Sequence, residues 1–442
     1  MLDIKFIREN RDIIFAGAKK KHIVFNVEKL LEIDDERRQV LGIIEEKRAE
    51  QNAMSEKIAA TMSAIAQADS SMAKEKHEED RQKMISEMKI VKEALQKKEA
   101  TLKEIMKKWQ TLMLQVPNVP DMTVPEGKDD SGNQEVRAWG DIIDFSKASP
   151  PFAARSHIDL AESLDLADFE KGAEVSGFRG YFLKNDGFTL TFALWQFVFD
   201  YFVRVKKYTP MLVPSLVKRE TLLGTGYLPQ GEEDLYKTQD GDYLAGTGEV
   251  AAMSYFADQT LAKEKLPIKI IAFSPCFRRE AGAHGKDTKG LMRVHEFFKF
   301  EQIILCEASH EESVKYHEEI TKNAEEIMQL LKIPYHVVAN CGGDLGLGQV
   351  KKYDIEAWIP SEGKYRETHS ASYFHDFQTR RLNIRYKDTD GKVKFAHSLN
   401  CTALPTPRPL IALLENYQQA DGSVAVPEAL QKYLGKNVIT KP

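Results

Sequence analysis

The sequence predicts an α+β protein, in which an antiparallel helical hairpin precedes a domain built on an antiparallel sheet. No proline occurs in residues 1–116, whereas Pro117, Pro120 and Pro125 follow closely. At the same point, apolar residues at helical spacing give way to short apolar runs separated by charged loops. A domain boundary is therefore expected near residue 116.

The second predicted helix carries the clearer apolar track. Steps of three and four residues meet Met84, Met88, Val91, Leu95, Lys98, Leu102, Ile105, Trp109 and Leu112. This spacing is typical of a coiled-coil seam. The preceding segment has a weaker track: Leu30, Ile33, Val40, Ile44, Met54, Ile58 and Ile65, with interruptions at Arg37, Lys47, Gln51 and Thr61. The polar residues 67–72 between the tracks predict a tight connection, and hence a hairpin at about 27–115.

The length and charge of the hairpin bear on its role. Helices of about 40 residues reach about 60 Å, so we expect the hairpin to project from the rest of the protein. Residues 27–116 contain 17 Lys and Arg against 18 Asp and Glu, which excludes a polybasic tail. From the residues alone, a dimerisation coiled coil is as good an interpretation as a nucleic-acid-binding arm.

After a linker at residues 117–139, residues 140–442 are expected to form the main domain. The runs at 268–273 and 300–305 are apolar and short, as in strands. Residues 193–202 and 311–331 have helical spacing instead. This mixture predicts the α+β class with an antiparallel sheet. The glycine-rich stretch 342–348 lacks the strand–helix unit of a dinucleotide site and is interpreted as a turn.

Bulk composition excludes several classes of protein. The 442 residues carry a net charge of -5, so any nucleic-acid contact must be local. The four cysteines are far apart, which argues against a disulfide framework or a zinc ribbon and fits a reducing cytosol. No stretch approaches the roughly 18 apolar residues of a membrane span. We expect a cytoplasmic protein without a signal peptide.

Residues 276–297 are the most informative segment. They predict a strand, a long glycine-bearing loop and a returning strand. Alternation places Arg278 and Glu280 on one face of the first strand, and Arg293 and Phe297 on one face of the second. Guanidinium groups match phosphate oxygens and an aromatic face stacks on a purine, so this set suits a nucleotide. Taken alone, the segment is also consistent with an ordinary exposed strand that carries ion pairs.

The sequence of residues 277–302, FRREAGAHGKDTKGLMRVHEFFKFEQ, closely resembles the second signature motif of seryl-tRNA synthetases. Pro214 is similar to the proline that closes the first class II motif, and Arg408 to the arginine of the third. The resemblance covers essentially the whole chain, including the hairpin. It implies a class II antiparallel-sheet catalytic domain, a homodimer, and a hairpin that grips tRNA(Ser) by its long variable arm. It also implies activation of L-serine by ATP and transfer of the seryl group to the tRNA 3′ end, and it leaves charging of tRNA(Sec) open.

The resemblance also implies roles in ATP binding. Arg278 would bind the α-phosphate and Arg293 the outer phosphates. Glu280 would engage the adenine amino group. Phe297 and Arg408 would stack on opposite faces of the adenine ring. The four charged residues of this set are the implied catalytic residues, because fixed cations and Mg²⁺ offset the charge that develops on the phosphate.

A serine pocket is implied in the same way. Its residues would be Thr247, Glu249, Arg278, Glu301, Glu367, Asn400 and Thr402. Glu367 and Ser370 are further implied for ATP binding and as ligands of Mg²⁺, which prefers carboxylate and phosphate oxygens. A site that hydrogen-bonds a hydroxyl rejects alanine, because its buried partners would be left unpaired.

One departure from the family pattern and three alternatives are relevant. Pro405 and Pro407 stand where small residues are usual in the third motif, so backbone contacts near the adenine are expected to differ. The alternatives are a catalytically silent paralogue, a ligase that loads a carrier protein, and a synthetase for another amino acid. The intact charged set argues against the first, the hairpin against the second, and the serine-like pocket against the third.

Overall fold

The computed structural model of the chain describes residues 1–283, 285 and 287–442, so His284 and Lys286 of the predicted loop lie outside the described residues. The α-helices of the described residues are α1 Ile4–Glu9, α2 Arg11–Lys20, α3 Val27–Gln67, α4 Ser71–Gln115, α5 His157–Ser163, α6 Phe169–Ser176, α7 Asn185–Asp200, α8 Arg219–Thr225, α9 Glu249–Ser254, α10 His310–Leu330, α11 Phe377–Leu382, α12 Arg408–Asn416 and α13 Glu428–Leu434. The strands are β1 Gln134–Trp139, β2 Ala167–Asp168, β3 Phe182–Leu183, β4 Thr209–Leu212, β5 Leu216–Val217, β6 Tyr236–Lys237, β7 Tyr243–Leu244, β8 Thr260–Ala262, β9 Ile268–Phe277, β10 Glu296–Cys306, β11 Tyr335–Ala339, β12 Lys351–Ile359, β13 Lys364–His375, β14 Arg385–Lys387, β15 Val393–Phe395, β16 His397–Thr406, β17 Val424–Ala425 and β18 Val438–Ile439.

The chain divides into two compact units. The first comprises Met1–Ile7, Asp12–Val24 and Pro117–Pro442, and the second comprises Arg8–Arg11 and Phe25–Val116. Each unit has its own hydrophobic core. None of the helices in the described ranges has the length and apolar character needed to cross a membrane.

The smaller unit is a helical hairpin made by α3 and α4, which confirms the prediction. Asn26 caps α3 by accepting a hydrogen bond from the Lys29 amide, and Ser70 caps α4 through the Ala73 amide. The two helices pack along their apolar tracks, and the buried side chains of this seam are Ile33, Val40, Ile44, Leu95 and Ile105. The predicted 3.5-residue spacing therefore corresponds to the buried face.

One interruption of the weaker seam has a structural explanation. Arg37 places its guanidinium carbon 5.0 Å from the centre of the Trp109 ring, where an apolar residue was expected. The same guanidinium donates to the buried carboxylate of Asp34, which also accepts from Arg8. At this position of the seam, a cation–π contact and ion pairs thus replace an apolar contact.

The larger unit is built on a mixed sheet. In the described residues this sheet has eight strands in the order β1-β11-β12-β13-β16-β10-β9-β4. All neighbours are antiparallel except β4 and β9. Helices α7, α10 and α12 contribute to the large core on the sheet. The antiparallel α+β architecture predicted from the sequence is confirmed.

The individual elements agree with the predictions except around the informative loop and in the predicted linker 117–139, whose last residues form β1 and pair with β11. The predicted runs lie in β9 and β10, and the predicted helices are α7 and α10. However, β9 ends at Phe277 and β10 begins only at Glu296. Arg278, Glu280 and Arg293 therefore lie beyond the strand ends, and the prediction that alternation along strands orients them is wrong.

Candidate active site

A cavity of about 510 Å³ opens over three neighbouring strands, β13, β16 and β10. The predicted residues that line it are Glu249, Arg278, Glu280, Arg293, Phe297, Glu301, Glu367, Ser370, Asn400, Thr402 and Arg408. Thr247 is buried behind the wall, where its hydroxyl accepts a hydrogen bond of 3.3 Å from the Glu249 amide at the start of α9. The structure thus brings residues from distant parts of the sequence to one site.

At one end of the cavity, Arg278 and Phe297 form a cationic and aromatic surface. The Arg278 amide donates to the His295 carbonyl at 2.9 Å, one residue beyond the paired strands. This bond directs the side chain back over β10, and its guanidinium carbon lies 5.4 Å from the centre of the Phe297 ring. The pair presents a cation beside an aromatic face, which suits a phosphate attached to a base.

The same end contains an ion-pair network on the loop after β9. Glu280 has a left-handed backbone with φ of 54° and accepts a hydrogen bond of 2.5 Å from Arg293. Asp287 pairs with Arg366 at 2.6 Å and lies 3.6 Å from Arg293. Burial raises the pKa of Asp287, but the charges of Arg366, Arg293 and Arg408 lower it by more than that. The pKa of this carboxyl is therefore below its usual value.

Arg408 closes the cavity from the start of α12. Its guanidinium donates to the carbonyl oxygens of Met292 at 3.1 Å and Glu367 at 3.0 Å. It also lies 3.3 Å from the Glu367 carboxylate, whose side chain is 46% exposed. Surrounding protein raises the pKa of Glu367, whereas nearby cations, Arg408 foremost, lower it below its usual value. Glu367 therefore offers an ionised carboxylate to the cavity.

At the other end, Glu249 is a buried acid. One of its oxygens accepts from the Tyr227 hydroxyl at 2.8 Å, and the other accepts from the Gln378 amide at 2.6 Å. Burial raises the pKa of Glu249 and the nearby Glu301 adds to the rise, while the two hydrogen bonds oppose it. Gln378 is held in turn by the Ser398 hydroxyl at 2.7 Å. Both donors to Glu249 are neutral, so this acid remains available to a cation.

The second buried acid at this end, Glu301, has a different partner. Lys299 pairs with it at 2.6 Å, and both side chains are almost fully buried. The Thr402 hydroxyl donates to the same carboxylate at 3.4 Å, and Asn400 lies on the same side of β16. The Glu301 charge is therefore already balanced by the protein.

Sequence reasoning missed several residues of the wall. Lys299 could have been found, because it lies midway between Phe297 and Glu301 on one face of β10. Tyr227, Gln378 and Gln349 come from loops and a short helix with no periodic signal. Their place at the cavity depends on tertiary structure alone.

Pro405 and Pro407, where the third motif departs from the family pattern, both line the cavity. Pro405 faces Lys299 in the β10–β16 ladder, beyond the point where β13 stops pairing with β16 at Cys401. A missing amide is tolerated here, because among the described residues no strand pairs with the second edge of β16 at this position. Pro407 precedes α12, where a helix amide is not required.

Comparison with known proteins agrees with this geometry. Residues 1–120 match the family model described as the seryl-tRNA synthetase N-terminal domain, and residues 236–417 match the tRNA synthetase class II core domain (G, H, P, S and T). The serine–tRNA ligase of Deinococcus radiodurans is 41% identical to the chain over 444 residues, with 100% of both proteins covered. The chain belongs to the seryl-tRNA synthetase family.

Solved structures of family members have the same fold. The seryl-tRNA synthetase of Pyrococcus horikoshii, complexed with ATP, superposes with a TM-score of 0.86 at 36% identity and full coverage of both chains. The cytoplasmic serine–tRNA ligase of Naegleria fowleri, in complex with AMP, gives a TM-score of 0.84 at 31% identity, with 100% of this chain and 99% of the other covered. As a member of this family the chain is a class II ligase, and the predicted class II fold is confirmed.

Proposed function

We propose that the chain activates L-serine with ATP and transfers the seryl group to the 3′ end of tRNA(Ser). The observation that carries this proposal is a cavity with two chemically different ends. Arg278, Phe297 and Arg408 form a cationic and aromatic end, while Glu249 and Thr402 provide an acid and a hydroxyl at the other. Family membership and the nucleotide-bound relatives support it.

The first step is attack of the serine carboxylate on the α-phosphorus of ATP. A carboxylate oxygen forms a bond to phosphorus, the bond to the bridging oxygen breaks, and pyrophosphate leaves. Negative charge grows on the phosphate oxygens, where Arg278 stabilises it electrostatically. Arg293 would bind the outer phosphates after exchanging its Glu280 contact, which leaves Glu280 free for the adenine amino group.

Two residues would hold a magnesium ion at the nucleotide end. Glu367 is ionised and exposed to the cavity, and Ser370 adds a hydroxyl to the same wall. One carboxylate and one hydroxyl, with phosphate and water oxygens completing the shell, fit the oxygen preference of Mg²⁺. When bound, the ion neutralises phosphate charge.

The acid end would recognise serine. Glu249 accepts hydrogen bonds only from neutral groups among the described residues, so the serine ammonium can balance its charge. Thr402 and Asn400 would face the serine hydroxyl. In the second step, a ribose hydroxyl oxygen of tRNA forms a bond to the acyl carbon of the adenylate and the bond from that carbon to the phosphate oxygen breaks. AMP leaves, and its phosphate takes up the proton of the hydroxyl.

The test of this proposal is amino-acid-dependent exchange of pyrophosphate into ATP across the twenty amino acids. Serine is expected to support exchange, with alanine and threonine reduced by about a hundredfold or more. Adding tRNA(Ser) should then give charged tRNA. Exchange with another amino acid and none with serine would overturn the substrate assignment while leaving the family assignment intact.

Thr402→Val is expected to weaken the choice of serine over alanine. Valine keeps the shape of threonine but removes the hydroxyl that bonds Glu301, so the ratio of kcat/KM for serine to that for alanine should fall by about tenfold. Thr191→Val is the control, because it removes a buried hydroxyl that donates to the Gly187 carbonyl at 2.8 Å away from the cavity lining, and it should leave the ratio unchanged. An unchanged serine-to-alanine ratio in Thr402→Val would remove this residue from the pocket.

We extend the proposal to the arrangement of the chain. Within the predicted arm at 1–116, the hairpin unit from Phe25 to Val116 would bind tRNA. Residues 140–442 would form the catalytic domain of a cytoplasmic homodimer, joined by the predicted linker at 117–139, whose last residues form β1 of the sheet. Exposed apolar side chains near the first motif support a dimer: Phe188, Phe192 and Leu212. Sedimentation at equilibrium should give twice the chain mass.

A further inference from the structure

A buried lysine lies outside the catalytic set but contacts the cavity wall. Lys21 follows α2 and is 3% exposed. Its ammonium donates to the carbonyl oxygens of Gly346 at 3.0 Å, Leu347 at 2.9 Å and Gln349 at 2.6 Å. One side chain thereby satisfies three acceptors within four residues of a loop that lines the cavity, residues 346–349.

Asn118 binds the same loop from a second position. Its amide side chain donates to the Gly348 carbonyl at 3.0 Å and to the Phe374 carbonyl at 2.8 Å. Its backbone amide donates to the Leu347 carbonyl at 2.9 Å. Together, Lys21 and Asn118 donate hydrogen bonds to the carbonyls of all four loop residues. Without these bonds the loop would have many conformations, because two of its four residues are glycines.

The loop in turn contacts the acid end of the cavity. A Cβ on Gly348 would come within 2.7 Å of the Phe377 ring, so the loop packs against α11 too closely to leave room for a side chain at this position. The next residue of α11, Gln378, donates to Glu249. Gln349 also donates to the Ser372 hydroxyl at 2.8 Å, and Ser372 lies opposite Asn400 between β13 and β16.

We propose that Lys21 is a positioning residue for serine: its ammonium fixes the 346–349 loop against α11 and so sets Gln378 and Glu249 at the acid end of the cavity. The assignment rests on the proposed serine activation. We expect Lys21 to affect serine binding and not ATP binding, because the loop does not contact the arginines of the nucleotide end. Arg278 and Arg408 are oriented by His295, Met292 and Glu367, and not by this loop.

The experiment measures serine and ATP dependence of pyrophosphate exchange in the full-length Lys21→Met variant. Methionine keeps an unbranched apolar side chain of similar length but has no donor, so the loop carbonyls lose their partner. We expect the KM for serine to rise by about tenfold while the KM for ATP stays within about twofold. Lys21→Arg retains donors and should recover part of the serine KM.

Lys19→Met is the matched control, because Lys19 is exposed on the neighbouring turn of the same segment, and it should behave as wild type. Circular dichroism and thermal melting establish folding, and Lys21→Gln, which keeps one donor group, replaces Lys21→Met if that variant does not fold. Equal rises in both KM values, or no rise in either, would overturn the positioning role. Absence of serine-dependent exchange in the wild type would instead overturn the proposed function.

Discussion

Arg278→Ala is expected to lower kcat/KM for serine-dependent pyrophosphate exchange by about a thousandfold. The guanidinium lies beside the Phe297 ring at the nucleotide end, where the α-phosphate is proposed to bind. Because negative charge grows on that phosphate in the transition state, loss of the fixed cation should act on kcat more than on the KM for ATP. Steady-state exchange at varied ATP concentration measures both parameters.

Arg279→Ala is the control for this prediction. Arg279 is the next residue and carries the same charge, but its guanidinium donates to the Glu233 carbonyl and does not line the cavity. It should retain activity within about threefold of wild type. Similar losses in both variants would mean that general charge in this segment matters, and would contradict a specific role for Arg278.

The periodic parts of the fold were predictable from the sequence. Heptad spacing in α4 corresponds to a buried face because a long two-stranded hairpin has few other ways to bury apolar side chains. Even Arg37, which interrupts the apolar track, lies on the inner face, where its guanidinium makes a cation–π contact with the Trp109 ring. The strands β9 and β10 were equally visible as apolar runs with charged loops on either side.

Alternation failed where the backbone stops being a strand. Glu280 has a left-handed φ, so the side-chain directions of a continued strand do not apply to it. Arg278, Glu280 and Arg293 nevertheless line the cavity. The resemblance could predict this, because it depends on the motif residues and their spacing and not on the local backbone conformation. Lys21 had no comparable signal. Its role depends on a loop more than three hundred residues away in the chain, and no periodicity links the two.

Deleting Leu30–Leu112 and joining the ends is expected to leave serine-dependent exchange within about threefold of wild type while lowering charging of tRNA(Ser) by at least about a hundredfold. The deleted segment contains the seam of α3 and α4, and the buried residues of that seam all belong to the hairpin. The core of the larger unit contains none of them. Activation should therefore survive, since its residues all lie in the larger unit.

The deletion also separates the two proposed roles of the N-terminal segment. Lys21 and Asn118 lie outside the deleted residues, so the contacts of both with the 346–349 loop can form in the shortened chain. We therefore expect its KM for serine to remain that of the wild type, whereas Lys21→Met raises it without shortening the hairpin. If the shortened protein charges tRNA(Ser) at the wild-type rate, the hairpin is not the tRNA-binding arm, and dimerisation through its outer face becomes the alternative role to test.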